Sequence, residues 1–293
     1  MSRPLATLIG GIAILLWGTL AALTAASGAV PPLLLTALTF AIATVVLLVS
    51  STLRGVRMVA LMRQPVVVWL LGIGGLFGYH VLYFTALQHA PTVEASLIAY
   101  LWPLLIVLFS GLLPGERLRW FHILGALAGF AGSALLVTGG SFDGFQEQYA
   151  LGYAAAIGCA LTWSGYSVLS RRFGAVPSDI VGLFCAATAV LSLIAHVVTG
   201  EATRWPQGGM AWIAVIGLGV GPVGLSFITW DIGVKHGDIR LLGVASYAAP
   251  LISTLLLIAL AMAPASSTVL AACALIVGGA LIASGDSLRR RKS

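Results

Sequence analysis

Gly28-Ala29-Val30-Pro31 returns 146 positions later as Gly174-Ala175-Val176-Pro177. Trp17 and Trp163 each stand eleven residues ahead of their copy, and His89, Tyr100 and Pro103 return as His236, Tyr247 and Pro250 at an offset of 147. Self-similarity at half the chain length marks a duplicated unit. Composition says what the unit is made of. The chain of 293 residues is 59% hydrophobic and only 8% charged, with a mean hydropathy of +1.05, where soluble domains carry roughly 25% charged residues. Such a chain cannot cover a water-facing surface, so the lipid bilayer is its main solvent.

Apolar segments long enough to cross a bilayer need some 17–25 residues. Ten are read, near 5–26, 33–53, 66–88, 93–113, 120–138, 149–170, 179–199, 210–231, 239–261 and 267–286. Each must be helical, because lipid offers no partner to an unpaired backbone amide. The first resembles a secretory leader, but its run of about 20 apolar residues is long for one, so it is read as a retained span. The predicted fold is therefore an all-α polytopic membrane protein of ten helices in two five-helix repeats, 1–143 and 144–293. Five is odd, so the second repeat enters the membrane inverted.

Lys and Arg concentrate on the cytoplasmic side of membrane proteins. With the N-terminus placed there, Arg3, Arg54, Arg57, Arg63, Arg117, Arg119, Arg171, Arg172, Lys235, Arg240, Arg289, Arg290, Arg291 and Lys292 all fall inside, and only Arg204 falls outside. This predicts cytoplasmic N- and C-termini. It also accounts for the net charge of +6 without a nucleic-acid partner. No cofactor or metal is read. Cys159, Cys185 and Cys273 sit in apolar runs at spacings suited to neither disulfide nor metal. No histidine pairs with a carboxylate at ligand spacing inside a span, so no enzyme is expected. Inverted repeats are a recurring transporter design, with substrate sites at the repeat interface.

Several features are costly in lipid and mark where a substrate sits. Pro103 and Pro250 lie mid-span, each removing an amide donor; a packing kink is the simpler alternative to a gating role. His80 is the best intramembrane ionisable group, although a neutral histidine bonded to a carbonyl would serve packing alone. Tyr79, His80 and Tyr83 fall within one helical arc. Tyr100 shares a face with Pro103, from which Trp102 points away, and Tyr247 repeats Tyr100. Trp17, Tyr79, His80, Tyr83, Tyr100, Trp102, Trp163 and Tyr247 are the candidate binding residues, and Pro103, Pro222 and Pro250 the candidate hinges. Trp69, Trp120, Trp205 and Trp212 suit the membrane interfaces. Gly74/Gly78, Gly125/Gly129 and Gly217/Gly221 have the spacing of close helix approach. Span eight carries about one extra turn relative to span three.

No Asp, Glu, Lys or Arg is expected near the midplane; Glu94 and Asp231 are read near span ends. A phosphate-bearing substrate would call for Lys or Arg. The lining instead suits a neutral or zwitterionic solute, its ammonium group lying over a Tyr or Trp face.

Pro114-Gly115-Glu116 after the fourth span, Leu-Trp-Gly-Thr (16–19), the stretch 93–103 ending in Tyr-Leu-Trp-Pro, His-Gly (236–237) and Val-Ala-Ser-Tyr-Ala-Ala-Pro (244–250) resemble the drug/metabolite transporter superfamily, in its ten-span, EamA-type exporter branch. The likeness runs along the whole chain and is strongest to the bacterial aromatic amino-acid exporters. It implies an inner-membrane exporter of amino acids, aromatic and other neutral ones, working by alternating access through a central cavity between the repeats. Another small neutral or zwitterionic metabolite, or a receptor or scaffold without flux, are the alternatives. In the second repeat, 262–265 read Met-Ala-Pro-Ala, without the glutamate. Spans five and ten are the least polar and suit a scaffold or a dimer face, leaving monomer and homodimer both open.

Overall fold

The computed structural model describes residues 1–142 and 144–284. The basic tail 289–292 used in the topology reading lies outside the described residues, as does the boundary residue Asp143. Helical stretches fall on all ten apolar segments: α1 (Arg3–Ala26), α2 (Pro32–Leu53), α3 (Val66–His89), α4 (Thr92–Ser110), α5 (Trp120–Thr138), α6 (Ala150–Ser170), α7 (Ser178–Val198), α8 (Gly208–His236), α9 (Ile239–Ala259) and α10 (Ser267–Ala283). Among the described residues, eight rather than ten are long and apolar enough to cross a membrane. α10 has 17 residues. α6 is diluted by Trp163, Ser164, Tyr166, Ser167 and Ser170, all of them buried in the protein. A helix whose neighbours are other helices need not be apolar all round.

The closest packing pairs are α1 with α8, α3 with α6, α2 with α7 and α5 with α10, while α4 packs chiefly on α6. Exchanging the five-helix sets turns the first pair into the second and each of the other two pairs into itself. Arg3 at the start of α1 and Arg171 just past the end of α6 both bind the Glu116 carboxylate. The first helices of the two sets therefore run in opposite directions. The repeat is inverted.

Close approach depends on glycine at the pair crossings. A Cβ on Gly233 of α8 would lie 2.6 Å from the Gly10 Cα of α1, and one on Gly125 of α5 would lie 2.5 Å from the Gly279 carbonyl of α10. Gly74 and Gly78 do not behave this way, having open room beside them, whereas Gly72 and Gly75 abut Phe184 and Tyr166. The reason is local: Gly74–Gly78 is a π-helical segment, matched in α8 by Gly219–Leu225. The wider turn rotates the glycine spacing off the helix contact. It also locates the extra length of α8, which has 29 residues to the 24 of α3. The surplus lies in and before the π segment. Beyond it, Tyr79–His89 and Ser226–His236 both have 11 residues.

The prolines break helices where expected. α4 divides into Thr92–Ala99 and Trp102–Ser110, and α9 into Ile239–Ala245 and Ala248–Ala259. Pro103 is the second residue of its new helix, where the missing N–H would have had no helical partner anyway. Pro222 lies inside the π segment of α8. Of the interface tryptophans, Trp120, Trp205 and Trp212 are exposed, while Trp69 turns inward onto Phe184 at 5.7 Å.

Candidate functional site

Where α1, α4, α6 and α8 converge, Trp17, Trp102, Trp163, Phe227 and Trp230 pack into one aromatic floor. Trp17 lies 5.0 Å from Trp230, 5.7 Å from Trp163 and 6.0 Å from Trp102, and Trp163 stacks on Trp230 at 6.3 Å. The Trp230 indole N–H donates to Ser167 Oγ at 3.0 Å, which satisfies the polar edge of a side chain that is 0% exposed. Trp102 reaches this floor although a continuous helix would point it elsewhere. The break at Tyr100–Leu101 resets the helical phase, so projecting from Tyr100 misplaces everything beyond it.

The tyrosines form a wall against one side of the floor. Tyr79 meets Trp163 at 5.6 Å and stacks on Tyr83 at 6.0 Å; Ser96 and Tyr100 lie beside Tyr83, and Cys159 beside Tyr79. Tyr79, His80, Tyr83 and Tyr100 are half-buried, as residues walling a crevice should be. His80 Nδ1 lies 2.7 Å from the Leu76 carbonyl and its ring stands edge-on to Phe40 at 5.1 Å. A carbonyl only accepts, so Nδ1 carries the proton. When the ring is neutral its Nε2 is then an acceptor, suited to an ammonium or hydroxyl donor.

Tyr247 stands apart. It is 0% exposed, its ring fills the space beside Gly129, and its hydroxyl accepts the Leu104 N–H at 3.1 Å. That amide belongs to the first turn opened by the α4 break and has no helical acceptor. Tyr247 caps the broken helix, while its repeat mate Tyr100 faces the crevice.

The two ends of the bundle differ. At one, which we call the Arg3 end, the Glu116 side chain is 5% exposed and binds Arg3 at 2.9 Å, Arg171 at 2.8 Å and Arg240 at 3.2 Å. Gly115, at φ 80, makes the left-handed turn that aims Glu116 inward. Arg171 also donates to the Val234 and Gly237 carbonyls. Burial opposes ionisation of Asp238, but Arg240 and Arg3 outweigh it and hold its carboxyl below the usual range. These contacts tie α1, α4, α6, α8 and α9 together. Between them and the aromatic floor lies a buried pair, Asp231 Oδ2 and Lys235 Nζ at 2.7 Å, with Tyr166 Oη 3.5 Å from Asp231 Oδ1. Lys235 also donates to the Val176 carbonyl at 3.0 Å.

At the opposite end, Glu201 accepts the Leu33 and Leu34 amides at the start of α2 and lies 2.7 Å from His196. Here Leu20–Ala26 of α1 packs mainly on α8 and α9, and Thr92–Ala99 of α4 on α5, α6 and α3. Leu20–Ala26 has no buried residue. The Arg3 end is sealed by these ion contacts, and the Glu201 end, with no such arginine cluster among the described residues, is the less closed of the two. Two surface hollows lie outside the aromatic centre. One, of about 540 Å³, lies at the Glu201 end beside Gly28 and Trp205, and the other, of about 510 Å³, on the outer face of α2 beside Val45 and Val49.

Sequence reasoning missed Phe227, Trp230, Asp231 and Lys235. Applying the offset of 147 to Tyr83 gives Trp230, and the four-residue spacing of Asp231 and Lys235 on one helix is a readable ion-pair signal.

A two-set inverted bundle with an aromatic floor at its crossing and opposite conditions at its two ends defines the class: a polytopic membrane carrier. The chain belongs to the EamA-like transporter family, whose model matches it twice, over residues 5–138 and 150–285. The "Aromatic amino acid exporter YddG" of Ancylobacter novellus is 58% identical over 97% of this chain and 98% of its own length. The Escherichia coli protein of the same name is 25% identical over 96% and 97%. A "Probable terminal-alkyne amino-acid exporter" of Streptantibioticus cattleyicolor is 26% identical over 72% of this chain and 68% of its own. A crystal structure 57% identical in sequence superposes with a TM-score of 0.91, covering 97% of this chain and 98% of that one.

Proposed function

We propose that this protein exports amino acids across the bacterial inner membrane by alternating access between its two repeats, 1–143 and 144–293. The observation that carries the reading is an aromatic floor sealed from one end by the Glu116 cluster and walled toward the other by half-buried tyrosines. Three relatives whose names specify amino-acid export support the substrate class. In the state described, Trp17, Tyr79, His80, Tyr83 and Tyr100 bound the crevice, while Trp102 and Trp163 close its base. Aromatic faces and the His80 Nε2 acceptor suit an ammonium group. The part-exposed Trp17, backed by the buried Trp102, Trp163 and Trp230, gives an apolar side chain a dry surface.

The Arg3 end is the cytoplasmic one, because the basic residues Arg3, Arg54, Arg117, Arg171, Lys235 and Arg240 collect there. The breaks at Pro103 and Pro250 and the π segment holding Pro222 serve as hinges for the exchange of open ends. The aromatic site holds neutral groups, which favours facilitated exchange over obligate proton antiport.

Efflux from vesicles containing the purified protein tests this. Loaded phenylalanine, threonine and methionine should leave faster than from empty vesicles, with little response to an imposed pH gradient. Absence of flux for the whole panel rejects the reading in favour of a receptor or scaffold. Flux that requires the gradient rejects facilitated exchange.

A further inference from the structure

The buried Asp231–Lys235 pair is not needed to build the fold. Ser226–His236 has a repeat mate of equal length in Tyr79–His89, and there the corresponding positions are Phe84 and Gln88. A buried ion pair adds little net stability, because desolvating two charges offsets their attraction. Paired charges inside a membrane protein are more often part of a solute path. The geometry agrees: the pair lies between the aromatic floor and the Glu116 seal, with Tyr166 bridging from Asp231 to Trp163 at 5.3 Å.

Inversion of the repeat adds a second argument. Phe84 is half-buried beside His80 and Tyr83 on the open wall, and Gln88 is exposed. Exchange of the open end gives Ser226–His236 the surroundings Tyr79–His89 now has. Asp231 and Lys235 then line the opening at the Arg3 end. A free amino acid carries one ammonium and one carboxylate on the same carbon, the two complements of this pair.

We propose that Asp231 and Lys235 form the docking site for the ammonium and carboxylate of a free amino acid when the carrier is open at the Arg3 end; the assignment rests on the amino-acid reading above. In the closed state the two side chains neutralise each other. On docking, each exchanges its partner for the opposite charge of the solute, so no unpaired charge is buried at any stage.

The test is counterflow of labelled phenylalanine in vesicles, with competition by phenylalanine amide, which lacks the carboxylate, and 3-phenylpropionate, which lacks the ammonium. In the Asp231→Asn/Lys235→Met double variant, which strands neither charge, KM for phenylalanine should rise about tenfold or more. The preference for phenylalanine over both analogues should shrink by a similar factor. Asp231→Glu should shift the affinity of phenylalanine and its amide while leaving 3-phenylpropionate unchanged. Unaltered KM and preference in both variants, or an equal loss for all three compounds, overturns the assignment. A wild-type protein that moves no phenylalanine overturns the amino-acid reading itself.

Discussion

Tyr79–His89 and Ser226–His236 are the same structural unit met twice: each has 11 residues and each follows a π segment. In the first, only Ala86 is buried; in the second, eight residues are, from Ser226 to Lys235. Part of this contrast belongs to the conformation, sealed beside one helix and open beside the other. Part belongs to the sequence, which places His80 and Phe84 where the second copy has Phe227 and Asp231. An inverted repeat exchanges the first kind of difference during transport but not the second. The permanent differences therefore mark what each mouth of the path must recognise.

The largest expected effect breaks the contrast at its core. Trp230→Ala, removing a fully buried ring and its bond to Ser167, should cost about 3–5 kcal/mol in thermal unfolding. Tyr83→Ala at the mate position should cost about 1–2 kcal/mol, because that ring is only half-buried. Equal losses would mean that both helices are equally buried in solution.

Glu116→Gln comes next, at about 1–3 kcal/mol, since Arg171 and Arg240 lose a charged acceptor. Cys185, near Tyr166 on the sealed side, should react faster with a small maleimide, while Cys159, beside Tyr79, should not. An unchanged ratio of the two labelling rates would show that Glu116 does not hold the seal.

His80→Ala and Tyr100→Ala should each slow amino-acid flux about tenfold, equivalent to 1.4 kcal/mol, with membrane insertion intact. Wild-type rates in both would remove the crevice wall from the site. The smallest effect sharpens the comparison: Phe84→Asp/Gln88→Lys copies the charge pair onto the open helix. There the pair should change stability by less than about 1 kcal/mol relative to Phe84→Ala alone, because Gln88 is exposed and exposed pairs contribute little. A larger change would mean that the mate position is less open than it looks.

The ten helical segments, the inverted repeat and most of the aromatic site were legible in the sequence, because lipid imposes helix length and duplication marks equivalent positions. The failures share a cause. Trp102 was mis-aimed across the Tyr100–Leu101 break, Gly74 and Gly78 were given a contact that the π segment rotates away, and Tyr247 was placed with Tyr100. In each case a regularity is extrapolated too far: the helix through a break or π segment for Trp102 and the two glycines, the repeat for Tyr247. Tyr247 adds a second lesson, since a repeated residue can keep its place and change its work. The first tyrosine faces the path; the second caps the Leu104 amide exposed by the other repeat's proline.

Glu116 has no counterpart at the opposite mouth, where the corresponding loop reads Met-Ala-Pro-Ala at 262–265 and Ala261 takes a left-handed φ of 56 in place of a glycine. Among the described residues, three arginines gather on one carboxylate at the Arg3 end alone; at the other end Glu201 meets His196 and two backbone amides. Dissolved salt, which weakens contacts such as that of the 46%-exposed Arg3 side chain, therefore acts on the two doors unequally. Ionic strength alone becomes a handle on which way this molecule faces.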